Sequence, residues 1–154
     1  MVRFPPTWVL VADSARARIF AWSEFTGPLV ELEDMANPEG RRRTRELAAD
    51  RPGVTYASKG FGSAHRMQEH SPAESAVESF ARSLAEALKT GLDKRRCERL
   101  VLVAPPEFLG RLRSHLDRRT EKAVVQSLAN DLSQASPDMI FSRLPRLNNL
   151  DGSG

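Results

Sequence analysis

A single cysteine, Cys97, stands in 154 residues. No intrachain disulfide forms, and no pair of thiolates exists to hold a structural zinc. The thiol is expected to lie buried near the start of a strand, which suits a reducing cytosol. Long apolar runs are missing too, and nothing approaches the roughly 20 residues needed to cross a bilayer. The apolar stretch after Thr7 meets Asp13 too soon for the core of an export leader, and no small-residue cleavage site follows it. A cytoplasmic protein with no membrane span is expected. Histidines number three, His65, His70 and His115, and no spacing brings them to one metal, so they are expected to be solvated. Neither a cofactor nor a metal site is expected. Asn37-Pro38-Glu39-Gly40 has too few oxygens for a calcium loop.

What is present is ordinary globular material: 40% hydrophobic and 28% charged residues, in a length that fits one core. The net charge of +3 is unevenly placed. Between Ala36 and His70 stand seven basic residues, Arg41, Arg42, Arg43, Arg45, Arg51, Lys59 and Arg66, against four acids, Glu39, Glu46, Asp50 and Glu69. The remainder holds 16 of each sign, so the whole surplus belongs to this one stretch. His65 and His70 add charge at lower pH.

Trp8 to Ala12 is a compact apolar run ending at Asp13-Ser14, which predicts a buried strand and a turn. Arg16 to Trp22 alternates, as does Leu29 to Met35 after the Gly27-Pro28 turn, so three strands open the fold as a meander. Periodicity then vanishes from Asn37 to Ser71, where Asn37-Pro38-Glu39-Gly40, Arg51-Pro52-Gly53 and Lys59-Gly60-Phe61-Gly62-Ser63 are loop chemistry. A stretch this long without periodicity is functional or disordered. At Ser71-Pro72-Ala73-Glu74 a capping box begins a helix, whose stripe is Val77, Phe80, Ala81, Leu84, Ala85 and Leu88, with Gly91 as its stop. Leu100 to Ala104 is apolar on both faces and predicts a central strand. After Pro105-Pro106 a helix points Phe108, Leu109, Leu112 and Leu116 inward. Lys122 to Leu128 is a further strand, and Ser136-Pro137-Asp138 opens a short helix through Leu144. The expectation is α/β: one domain over 8–144 with a basic loop at 36–71, a five-stranded mixed sheet with helices on both faces, ribonuclease H-like in order, and a flexible tail over 145–154.

That order brings a metal-dependent nuclease to mind, whose chemistry needs several carboxylates converging on two cations. Asp13 ends the first strand, but it is expected to serve its turn. Glu74 serves the capping box, Glu107 complements its helix dipole, and the central strand ends on Ala104-Pro105-Pro106 with no acid. Ser63 lacks a strand leading into it, so no nucleophile elbow forms, and its neighbour His65 does not make a triad. No catalytic set is expected. The stretch Lys59-Gly60-Phe61-Gly62-Ser63-Ala64-His65-Arg66 is different. Its flexible amides beside cations suit a phosphate backbone, with a base stacked on Phe61. Arg41-Arg42-Arg43 with Arg45, and Arg51, fit RNA or an acidic protein partner equally. Trp8, Trp22 and Phe20 are expected as core and strand-face residues.

Val9-Leu10-Val11-Ala12-Asp13-Ser14-Ala15-Arg16-Ala17-Arg18-Ile19-Phe20 resembles the opening of the bacterial host attachment protein family, "protein required for attachment to host cells". Asn37-Pro38, Asp50-Arg51-Pro52-Gly53 and the run from Leu100 through Pro105-Pro106-Glu107-Phe108-Leu109-Gly110 to Leu112-Arg113 carry the same resemblance. It covers Trp8 to Leu144. The family is similar to the middle domain of archaeal and eukaryotic release factors, which implies a ribonuclease H-like fold and a loop reaching the ribosomal peptidyl-transferase centre. There a Gly-Gly-Gln motif positions water for peptidyl-tRNA hydrolysis. Here Phe61-Gly62 stands in place of the Gly-Gln pair, and Gln68 is displaced, so the resemblance implies binding to ribosomal RNA or tRNA rather than catalysis. The expected function is a non-enzymatic, translation-associated module. Its alternatives are an adhesion or envelope protein-interaction factor and peptidyl-tRNA hydrolysis by a remodelled loop.

Overall fold

A computed structural model of the chain describes residues 5–22, 28–38, 40 and 72–144. Strands β1 (Thr7–Ala12), β2 (Arg16–Trp22) and β3 (Leu29–Ala36) come first, then helix α1 (Pro72–Asp93) and strand β4 (Arg99–Val103). Helices α2 (Pro106–Arg113) and α3 (Arg118–Ala123), strand β5 (Val124–Leu128) and helix α4 (Pro137–Arg143) complete the order. The strands form one sheet in the order β3-β2-β1-β4-β5. The first three are antiparallel neighbours, while β1, β4 and β5 run parallel. This is the ribonuclease H-like arrangement anticipated from the pattern.

Register explains why β1 and β4 read as unbroken apolar runs. Val9 lies between Phe20 and Val101, and Leu10 between Ile19 and Leu102. Successive residues of a strand point to opposite faces, so each row feeds a different core. One face packs Leu10, Ile19, Leu100 and Leu102 against Val77, Ala81, Leu84 and Leu88 of α1 and Phe108 and Leu112 of α2. The other packs Val9, Val11, Phe20, Trp22, Val101 and Val103 against Leu132, Ile140 and Leu144. A strand with cores on both sides has no solvent-facing row left to be polar. Phe20 and Trp22 are buried in the second core, and Trp22 meets Phe141 edge to face at 6.0 Å.

Two local expectations need correction. Gly91 does not stop α1, which continues to Asp93. Instead Gly91 is buried under Trp8, whose ring atoms would lie 2.5 Å from any Cβ there. The stop is a Schellman turn: Arg96 N–H donates to the Gly91 carbonyl at 2.8 Å and Arg95 N–H to that of Leu92 at 3.0 Å. Arg95 takes the left-handed conformation, φ 60°. The strand expected from Lys122 begins only at Val124, because Asp117 accepts Thr120 N–H at 2.8 Å and nucleates the short helix α3. Ser71 of the capping box, the loop from 41 and the tail from 145 lie outside the described residues. No helix among the described residues is long and apolar enough to cross a membrane.

Candidate functional site at the carboxyl end of the sheet

Parallel strands of an open α/β sheet present binding sites at their carboxyl ends, and there the chain enters and leaves its long basic segment. The β1–β2 turn forms the floor. Asp13 Oδ1 accepts the Ala15 and Arg16 N–H groups at 2.8 and 2.9 Å, so this aspartate organises its own turn as expected. Asn37, just past β3, donates its backbone N–H to the Ala15 carbonyl at 2.8 Å. Its Nδ2 donates to the Ser14 carbonyl at 3.0 Å and to Ala76 of α1 at 3.4 Å. One amide thus ties three elements together. Gly40 is buried on the same turn, where a Cβ would fall 1.8 Å from the Ser14 carbonyl oxygen. Only glycine permits that approach. Asn37-Pro38 reads in sequence as turn chemistry; the structure makes it the root of the segment that follows.

A second cluster spans α1 and α2. Glu74 and Glu78 are four apart on α1, and Glu107 and Arg111 four apart on α2, so each pair shares a helix face. Arg111 donates to Glu78 at 2.7 Å and Glu74 at 2.9 Å, and lies 3.6 Å from Glu107. His115 Nε2 contacts the other Glu78 oxygen. Hydrogen bonding from Arg111 is the main reason the Glu78 carboxyl titrates below its ordinary range; burial opposes this, and His115 adds to it. Glu74, expected only to cap, is therefore an ion-pair partner. His115 is half-buried against a carboxylate rather than solvated.

The third feature is Arg18, buried within β2. It donates from Nε and Nη2 to Glu31 at 3.4 Å, stacks over the Phe20 ring at 5.0 Å, and donates from Nη1 to the Ser133 and Ala135 carbonyls at 3.3 and 2.6 Å. The segment between β5 and α4 is thereby clamped across the sheet end. Ser133 Oγ sits 2.9 Å from both Asp13 and Asp131.

Chemically, this end is organised for support. Each acid that a nuclease would use, Asp13, Glu74 and Glu78, is engaged by the protein's own donors, and among the described residues no three metal-ligating side chains converge. Cys97 is buried just before β4, and desolvation, with Glu98 adding, pushes its thiol up to about 12, which favours the protonated form. Arg41, Arg42, Arg43, Arg45, Arg51, Lys59, Gly60, Phe61, Gly62, Ser63, His65 and Arg66 all lie outside the described residues. Sequence reasoning missed Asn37, Gly40, Arg18 and the Arg111 network. The signal for the first two was an Asn-Pro with glycine two residues later, adjoining a strand.

Solved structures similar to this chain include an archaeal translation termination factor, aRF1, at 12% identity and TM-score 0.49, covering 96% of this chain and 37% of that one. Another is described as an archaeal protein, at 13% identity and TM-score 0.45, covering 96% and 39%. The chain thus spans under two-fifths of the length of either. No curated protein matches the sequence. Residues 8–144 match the family described as "Protein required for attachment to host cells", and the chain belongs to that family.

Proposed function

We propose that the protein is a non-enzymatic, cytoplasmic module that contacts ribosomal RNA or tRNA through its basic segment, with Arg41, Arg42, Arg43, Arg45, Arg51, Lys59, Arg66 and His65 meeting phosphates and Phe61 a base. One observation carries the reading. Counted over the described residues, the body holds 14 basic and 14 acidic side chains, while the surplus belongs to a segment whose root is locked at one end of the sheet by Asn37 and Gly40. The carboxylates beside that root already have partners: Asp13 in its turn, Glu74 and Glu78 on Arg111, Asp34 on Arg16. A neutral body carrying an anchored cationic segment suits an anionic polymer.

Co-sedimentation with ribosomes, with and without RNase, tests it. Four phosphate contacts on single-stranded RNA give a salt slope of about −3, so fourfold more salt weakens binding roughly 50-fold. Replacing Arg41, Arg42, Arg43 and Lys59 with glutamine should abolish most of the binding. Unchanged sedimentation of that variant refutes the reading. Release of labelled peptide from stalled ribosomes tests for hydrolysis by the remodelled loop, and none is expected.

A second reading follows from the family's description and from edge strand β3, where Val30 and Leu32 are 60% and 47% exposed. Exposed apolar side chains on a strand that is the sheet edge among the described residues suit a protein partner, which would make the chain an attachment or envelope factor. Pull-down partners that survive RNase favour this alternative.

A further inference from the structure

The far end of α1, about 33 Å from its start for 22 residues, carries cations that the sequence's charge balance conceals. Lys94, Arg95 and Arg96 follow one another through the Schellman turn, all exposed. Helix α3 docks beside them: Arg119 donates to the Leu92 carbonyl at 3.3 Å and pairs with Asp93, bringing Arg118 and Lys122, both exposed, to the same end. The acids there are largely committed. Asp93 takes Lys89 as well as Arg119, Asp117 caps α3, and Glu121 pairs with Arg113. Among the described residues no ion pair engages Lys94, Arg95, Arg96, Arg118 or Lys122, and the acids left nearby are Glu98 and, across the cleft that Arg96 lines with Trp8 and Gly91, Glu33 and Glu86. Arg95 adds a second observation. A side chain at a helix end in left-handed backbone is strained where glycine would be relaxed, and nothing within the described residues compensates through its guanidinium. The Schellman turn sets this backbone, and non-glycine residues held in it cluster at functional sites.

We infer that this end of the domain, Lys94-Arg95-Arg96 with Arg118 and Lys122, is a second contact surface for the phosphate backbone of RNA, at the other end of α1 from Asn37, the root of the basic segment. The inference rests on the reading of the partner as RNA. Five charges spread over a turn and a helix suit an extended anion. An acidic protein is less well matched, because protein interfaces need an apolar centre, and the exposed large apolar residues among those described, Val30, Leu32, Met139 and Phe141, belong to β3 and α4.

The test uses the full chain and a labelled, unstructured RNA of 30 nucleotides, with binding measured across a salt series. The quintuple variant Lys94→Gln, Arg95→Gln, Arg96→Gln, Arg118→Gln, Lys122→Gln should bind at least tenfold more weakly, with a salt slope shallower by about 2 to 3 if three or four contacts are lost. Its melting should stay close to wild type. Arg95→Gly serves as a second variant, expected to melt higher yet bind more weakly, a pairing that a purely structural role does not produce. If the quintuple variant binds like wild type while the loop variant loses binding, the inference is overturned and the RNA reading stands. Loss in the quintuple variant with none in the loop variant supports this surface and sinks the loop reading. Wild type that ignores RNA, or that polyglutamate displaces as well as RNA does, overturns both.

Discussion

Replacing Gly40 with alanine perturbs the root of the basic segment without altering any charge. The new Cβ would lie 1.8 Å from the Ser14 carbonyl oxygen and 2.7 Å from Asn37 Nδ2. The first neighbour is backbone, held by the Asp13 turn, and does not yield cheaply. Overpacking of this kind costs about 1–3 kcal/mol. If the root moves instead, the Asn37 bonds to Ser14 and Ala76 loosen, each worth about 1 kcal/mol net. Both routes lead to a loss of about 2–3 kcal/mol, or roughly 5–10 °C in melting temperature for a domain of this size. Hydrogen exchange should localise the damage to the β1–β2 turn and the first turn of α1, leaving β1 and β4 protected. Asn37→Ala removes the same side-chain bonds without the clash and should fall in the same direction by about 1–2 kcal/mol. RNA affinity should drop in both variants although every cation remains. A Gly40→Ala protein that melts within a degree of wild type, with unchanged exchange around Ala76, refutes the rooting argument.

Acid titration tests the α1–α2 network. Because the folded Glu78 carboxyl lies below its unfolded value, its stabilisation is present above the unfolded range, near about 4.3, and is lost as pH falls through the lower folded value. Arg111→Met should remove this contribution and flatten the acid limb of a stability-versus-pH curve; an unchanged limb counts against it. Arg95→Gly should raise stability by about 0.5–1 kcal/mol in urea melts, the relief of left-handed backbone less the added chain entropy. Arg18→Met strands Glu31 and the carbonyls of Ser133 and Ala135, and should cost about 3 kcal/mol with faster exchange between Asp131 and Ser136.

The elements most legible in the sequence were those whose signal is local. Val9 to Ala12 and Leu100 to Ala104 are apolar throughout because each strand is covered on both faces. The α1 stripe is plain because a surface helix buries one side only. Legibility failed where two local rules competed. Gly91 resembles a helix stop, but Trp8, 83 residues earlier in the chain, required a missing Cβ there, and the backbone turned at Arg95 instead. Lys122 and Ala123 abut an apolar run and look strand-like, yet the Asp117 cap holds them in helix.

Charge placement, the order of the five strands and of the helices other than α3, and the glycine and cations of the basic segment were thus determined by the sequence alone, since each depends on residues near one another in the chain. Which charges are spoken for was decided only by the tertiary structure. Glu74 and Glu78 meet Arg111 some 33 to 37 residues away, and Arg18 reaches carbonyls at Ser133 and Ala135. An arginine or glutamate has dozens of opposite charges to choose from along the chain. Folding brings a few within reach, and so separates the cations consumed in holding the domain together from those that hold no ion pair among the described residues.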